Sequence, residues 1–308
     1  MDSQWIFQQT DRCIRNVASW EVTSPQNRDY LLQISWPLEW PSLDENNTII
    51  SKTNVLYLVD GNSTFLSATE ITRRRRTRNP QDIATIVIGI SYPLIDTVYS
   101  PRRSFDLTPP CKSYHPPQDT NGQPIPQPYG GADTFLDFIT NTIHYYVFTS
   151  IFPSVSIHKT ALFGHSYGAL FALHTLYTAP TSFDAYLAVS PSVWWNDRFI
   201  LQEETHFYNT PKPDHRPGVW MAYGSLEQSN QHGTNQRDER LDGRARVRKA
   251  RRMGIHCEEM VQRLKESGWV GVVKMRRYED EDHGSVVAGA LGGAISFFTD
   301  LSKESEVL

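Results

Sequence analysis

The sequence predicts an α/β architecture on a mostly parallel central sheet, and three observations carry that expectation. Asn54–Val59 (NVLYLV) and Ile83–Ile90 (IATIVIGI) are short, nearly continuous apolar runs, the composition of strands buried on both faces. Strand-like and helix-like segments alternate through most of the chain, which is the pattern of a layered α/β domain. One strand runs directly into a glycine-bounded turn, Gly164-His165-Ser166-Tyr167-Gly168, that opens a helix.

Taken in order, Ser19–Trp36 alternates apolar and polar residues around Ser24-Pro25-Gln26-Asn27, which reads as a β-hairpin. The two buried runs follow. Between them Thr72–Arg78 (TRRRRTR) reads as a solvated surface turn rather than a nucleic-acid patch. A helical stretch after Gly131 runs through Phe135-Leu136-Asp137-Phe138-Ile139. Strand Lys159–Phe163 leads into the Ser166 turn and a helix over Ala169–Tyr177. Strands Ala185–Val189 and Val219–Tyr223, a helix around Glu258–Lys265, strand Val272–Tyr278 and a terminal helix Val286–Leu301 complete the series. The expectation is one domain over residues 1–308, with lid-like excursions at about 109–130 and 228–252. Pro109–Pro128 is rich in proline and glutamine, and a loop of that length inside a domain often covers a site. Gln228–Arg252 is dense in charge.

Composition excludes several classes. Hydrophobic residues are 39% and aromatics 12% of 308, enough for a substantial core. Thirty Lys and Arg against 34 Asp and Glu give a net charge of −4, which argues against a dedicated nucleic-acid binder. MDSQWIFQQTDRC lacks the basic-then-apolar pattern of a secretory leader, and no apolar run approaches the roughly 20 residues that cross a bilayer. Cys13, Cys111 and Cys257 are odd in number and scattered, which suits a reducing compartment, so the cytoplasm is expected. Two glycosylation sequons start at Asn46 and Asn62, and a glycan on the second would block the site described next.

The pentapeptide is a G-x-S-x-G nucleophile elbow. Its chemistry needs a sharp strand-to-helix turn that holds the serine strained and exposed, with small residues either side. Ser166 is the expected nucleophile. The Tyr167 backbone N–H, at the start of the following helix, is one expected oxyanion donor. Asp60-Gly61-Asn62, directly after NVLYLV, supplies the other through the Asn62 N–H. In this fold the order is serine, acid, histidine. Of the ten histidines, His283 follows the last strand through an acidic loop and precedes the final helix. Glu227 lies just beyond the strand Val219–Tyr223 and is the expected orienting acid. Asp238, Asp280 and Asp282 are its competitors. No HExxH motif or cysteine pair is present, so neither metal nor other cofactor is expected.

Several stretches together resemble a family of α/β-hydrolases: esterase D-like enzymes, enterochelin-type siderophore esterases and their fungal relatives acting on hydroxamate siderophores. They are VLYLVDGN, IVIGISYP, RRSFDLTPP, GGADTFLDFI, ALFGHSYGALFALHTL, SPSVWW and EDEDHGSV. The resemblance spans Val55 to about Val287. It implies that Ser166, Glu227 and His283 are a triad and that Asp60-Gly61-Asn62 is the oxyanion loop. Ala169 stands where a second glycine usually follows the elbow. Arg102, Arg103 and Asp106 match an R-x-x-DLTP stretch, read as an ion pair bracing the loop before the lid. Trp194 and Trp195 are expected near the mouth of the pocket. The implied activity is hydrolysis of a small-molecule ester, in a siderophore or related fungal secondary metabolite. The alternatives are an acyltransferase or thioester hydrolase on the same triad, and a non-catalytic binding protein that has kept the fold. Nothing in the sequence sets an oligomeric state, and neither nucleic acid nor membrane is an expected partner.

Overall fold

The computed structural model describes residues 14–23, 29–43, 49, 51–93, 96–227, 243, 246–247 and 249–304. Its centre is an eight-stranded sheet in the order β1-β2-β4-β3-β5-β6-β7-β8. The strands are β1 Val17–Thr23, β2 Asp29–Ser35, β3 Ser51–Val59, β4 Ala84–Ser91, β5 Val155–His165, β6 Ala185–Val189, β7 Gly218–Gly224 and β8 Val273–Tyr278. Strand β2 runs antiparallel to both β1 and β4, and every pairing from β4 to β8 is parallel. The chain has the α/β-hydrolase fold.

Side chains alternate across the buried strands with the period of two that a pleated sheet imposes. On β3, Val55, Tyr57 and Val59 face one core while Leu56 and Leu58 face the other. Both faces are covered, which is why these strands read as continuous apolar runs instead of alternating ones. Helices α1 (Gly61–Arg78) and α6 (Val286–Glu304) cover one face. The opposite face carries four helical elements. They are α2 (Ala132–Asp137, carried on by π-type turns at Phe138–Ile143 and Val147–Ile151), α3 (Tyr167–Thr178), α4 (Ile200–Tyr208) and α5 (Met253–Ser267).

The arginine run is not a turn. Thr72–Arg78 is the C-terminal part of α1, where arginine is both a good helix former and favourable to the helix dipole. Phe65 and Ala68 anchor that helix against the sheet at 1% and 0% exposure, and burying such a phenylalanine contributes about 1.5–3 kcal/mol. Arg75 bonds to Asp82 at 3.2 Å and Asp300 at 2.7 Å, and Arg76 to Glu39 at 2.7 Å, so the run is engaged in intramolecular pairs.

The hairpin turn at 24–27, the sequon at 46–48, Cys13, Asp238 and most of Gln228–Arg252 lie outside the described residues, which resume without a break at 249. No helix among the described residues is long and apolar enough to cross a membrane.

Candidate active site

The parallel strands all end on one side of the sheet, the side on which open α/β sheets bind ligands. Asn62 follows β3, Ser166 follows β5, Ser190 follows β6, Glu227 follows β7 and His283 follows β8. The topology alone brings these distant residues to one edge.

Ser166 sits at φ 59°, ψ −114°, a strained conformation for a residue with a side chain. The turn closes so tightly that a Cβ at Gly164 would lie 2.0 Å from the Gly168 carbonyl oxygen. Glycine is therefore obligatory there. The Ser166 N–H donates to the Val189 carbonyl at 3.0 Å, and its own carbonyl accepts from Ser192 and Leu170 N–H. The strain is thus held by the neighbouring strand and by α3. Ala169 at the usual second-glycine position is wholly buried within that helix.

His283 Nε2 lies 3.1 Å from Ser166 Oγ, and His283 Nδ1 lies 2.8 Å from Glu227 Oε2. Glu227 is 1% exposed. Its other oxygen accepts from Ser190 Oγ at 2.5 Å and from the Gly224 N–H at 2.7 Å. Three donors thus fix a buried carboxylate in line with the imidazole. Asp282 instead shapes the chain beyond the histidine. Its carboxylate accepts from the Gly284 and Ser285 N–H groups at 2.8 and 2.9 Å, at the entry to α6. Asp280 lies in the same loop at φ 59°, its N–H donating to Ser225 Oγ.

Tyr167 is the first residue of α3 and Asn62 the second of α1. The first N–H groups of a helix have no intrahelical acceptor, so both positions present donors. The Asn62 side chain is occupied elsewhere. It clasps the backbone of Tyr92 by both amide atoms, each at 2.8 Å, tying the start of α1 to the end of β4.

The arginine pair divides its roles differently from expectation. Arg102 does contact Asp106, at 3.4 Å, and stacks on Tyr30 and Tyr92, whose hydroxyls also donate to Asp106. Burial pushes the Asp106 carboxyl up from its ordinary range. Arg103 instead turns inward to Asp60, the residue before α1, and reaches the His165 carbonyl at 3.4 Å. Two further residues of the site carry no signal in the sequence. Ser192 Oγ is 3.4 Å from that of Ser166. The buried His165 ring packs on His283 with centroids 4.6 Å apart. Burial, then His283 and Arg103, hold the His165 pKa well below the usual imidazole range. Ser192 lies within the SPSVWW stretch, but nothing in one sequence separates a site serine from a turn serine.

The two tryptophans part company. Trp195 is 1% exposed and packs in the core against Tyr114 and Tyr129. Trp194 lies beside Tyr167, with ring centroids 6.2 Å apart. Pro109–Pro128 is irregular apart from one bridge, Gln118 to Pro124. It is tied down by Tyr114, which packs on Trp195, and by Asn196, which accepts from the His115 N–H at 2.7 Å and donates to the Ser113 carbonyl at 3.1 Å. His115 also pairs with Asp197. Among the described residues no three His, Cys, Asp or Glu side chains converge in a metal-holding group.

A strained serine, a histidine and a buried glutamate in hydrogen-bonded series on this fold are the arrangement of a serine-type α/β-hydrolase. Residues 26–260 match the family described as "Putative esterase", and the chain belongs to that family. It is 45% identical over 290 residues to a siderophore enterobactin esterase of Emericella nidulans, covering 94% of this chain and 95% of that one. It is 38% identical over 292 residues to a siderophore triacetylfusarinine C esterase of Aspergillus fumigatus, covering 92% and 94%. Among solved structures, the siderophore hydrolase EstA from Aspergillus nidulans superposes with a TM-score of 0.92 at 44% identity, over 97% of this chain and 99% of that one.

Proposed function

We propose that this protein is a cytoplasmic siderophore esterase that works through a Ser166–His283–Glu227 triad and an acyl-enzyme. The observation that carries the reading is the unbroken series from Ser166 Oγ through both imidazole nitrogens to a buried carboxylate. The siderophore as substrate rests on the likeness to the two fungal esterases.

In this mechanism Ser166 Oγ attacks the ester carbonyl while His283 Nε2 takes its proton. Negative charge gathers on the carbonyl oxygen and is met by the Tyr167 and Asn62 N–H groups, where one such donor is worth about 10²–10³ in rate. The imidazolium then protonates the departing alkoxide, and the acyl group stays on Ser166. Water, deprotonated by His283, attacks the acyl-enzyme and releases the acid. Glu227 holds the Nδ1–H tautomer and stabilises the imidazolium formed in each half-reaction. No step needs a cofactor.

The test is a hydrolysis screen with purified protein on hydroxamate and catecholate siderophores, simple aryl esters and thioesters, with fluorophosphonate labelling alongside. Cleavage of a siderophore ester and labelling of wild type but not Ser166→Ala are expected. Acyl transfer to an added alcohol in preference to water would replace the hydrolase reading by a transferase one. Failure to label would leave a binding protein.

A further inference from the structure

Five aromatic and cationic side chains form a row beside the nucleophile, in the order Arg251, Trp194, Tyr167, Arg103 and Tyr99. The Arg251 guanidinium lies 4.1 Å from the centre of the Trp194 ring. Trp194 packs on Tyr167. Arg103 lies 5.4 Å from the Tyr167 ring and 5.1 Å from that of Tyr99. The row flanks Ser166, because Tyr167 follows it in the chain and Ser192, two residues before Trp194, touches its hydroxyl.

The two cations in this row are not equivalent. Arg103 is neutralised by Asp60 in a tight buried pair. Arg251 is partly buried and contacts no carboxylate among the described residues. Burial pushes its pKa down, and the phenol of Tyr167 is the group that opposes this. A second donor in the same place is also unsatisfied: the Trp194 indole N–H is buried without an acceptor among the described residues. A partly buried cation and a buried indole N–H, neither with a carboxylate partner among the described residues, are each costly to keep and call for an acceptor. Both are donors, and an anion would serve as acceptor for both. Arginine suits the role because its guanidinium is weakly hydrated, stacks on aromatic faces and still presents its N–H edge to an anion.

We propose that Arg251 and Trp194 form an anion subsite beside Ser166, and that it selects esters whose body carries negative charge. This rests on the siderophore reading above and sharpens it. Three catecholates around Fe(III) leave a trianion, whereas three hydroxamates leave a neutral complex. The subsite therefore favours the catecholate class, through a charge contact that hydroxamates cannot make.

The experiment measures kcat/KM for ferric enterobactin and ferric triacetylfusarinine C in wild type, Arg251→Met, Arg251→Lys and Trp194→Phe, at low and high salt. The readout is the catecholate-to-hydroxamate ratio, which is independent of how much of a variant folds. Arg251→Met lowers that ratio about tenfold or more, a loss of about 1.4 kcal/mol of discrimination. Arg251→Lys keeps most of it, and Trp194→Phe, which keeps the ring and loses the N–H, falls between. Added salt lowers the wild-type ratio and leaves that of Arg251→Met flat. A ratio that does not respond to Arg251→Met, or that is insensitive to salt in wild type, overturns the subsite and leaves the esterase reading standing. Failure of wild type to cleave either complex sinks both.

Discussion

The guanidinium of Arg103 grips the Asp60 carboxylate through two nitrogens, Nε at 3.0 Å to Oδ1 and the terminal NH2 at 2.6 Å to Oδ2. Asp60 is held at φ 53° immediately before α1, and the same arginine reaches the carbonyl of His165, one residue before the nucleophile. One ion pair thus ties the start of α1, which carries the Asn62 N–H, to the strand end that leads into Ser166 and Tyr167. Arg103→Lys keeps the charge but loses the fork. It should lower kcat about tenfold with KM little changed, as expected for misplaced oxyanion donors. Arg103→Met leaves Asp60 buried and unpaired, and should lower the stability read from urea unfolding by about 3–5 kcal/mol.

Glu227 and Asp282 offer a direct contrast. Glu227→Gln keeps the shape but loses the charge that stabilises the imidazolium, so kcat should fall about 10²–10⁴-fold. Asp282→Ala removes an acceptor at the entry to α6 and should cost about 1 kcal/mol of stability while leaving kcat within a few-fold of wild type. Steady-state kinetics and thermal melts on the two variants decide the matter. A larger kcat loss for Asp282→Ala would reverse the assignment of the acid.

His174, in the middle of α3, is 1% exposed and bonded at both nitrogens, Nδ1 to Glu203 at 2.9 Å and Nε2 to Asp133 at 2.9 Å. Burial alone would lower its pKa, but the two carboxylates overcome this and raise it to about 9. The folded value lies above the unfolded value near 6.5, so the lock contributes fully below about pH 6.5. Its contribution is lost as pH rises through about 9. It amounts to at most about 3 kcal/mol, since Asp133 is 65% exposed and screened by water. Between pH 6 and pH 10, wild type should lose more stability in urea than His174→Gln does. Parallel losses would mean that the imidazole is neutral in the fold.

The Pro109–Pro128 segment is held by Tyr114 on Trp195 and by two hydrogen bonds to Asn196, which lies at φ 46°. Replacing residues 112–127 by a short Gly/Ser linker should spare hydrolysis of a small aryl ester. It should cut kcat/KM for a large siderophore ester about tenfold or more, because contacts remote from the reacting bond position it. Asn196→Ala should move in the same direction by less. Equal losses on both substrates would make the segment part of the folding core.

The order of elements and the tight strand-to-helix turn of the elbow were legible in the chain itself. Buried parallel strands leave continuous apolar runs, and the Gly164–Gly168 turn leaves a pentapeptide, because both constraints act between near neighbours. The convergence of Ser166, His283 and Glu227 was legible for a related reason: each stands within a few residues of a strand end, and strand ends in this topology share one edge. Helix α1 was not legible, since its polar, arginine-rich second half carries little apolar periodicity and is held by Asp82, Glu39 and Asp300. Three further assignments came from the folded molecule. Arg103 pairs with Asp60 rather than Asp106, Trp195 is core while Trp194 lies beside Tyr167, and Arg251 stacks on Trp194. Pairings of that kind join residues 27 or more positions apart. They depend on where the fold leaves a buried charge beside a partner, and no local pattern in the chain records that.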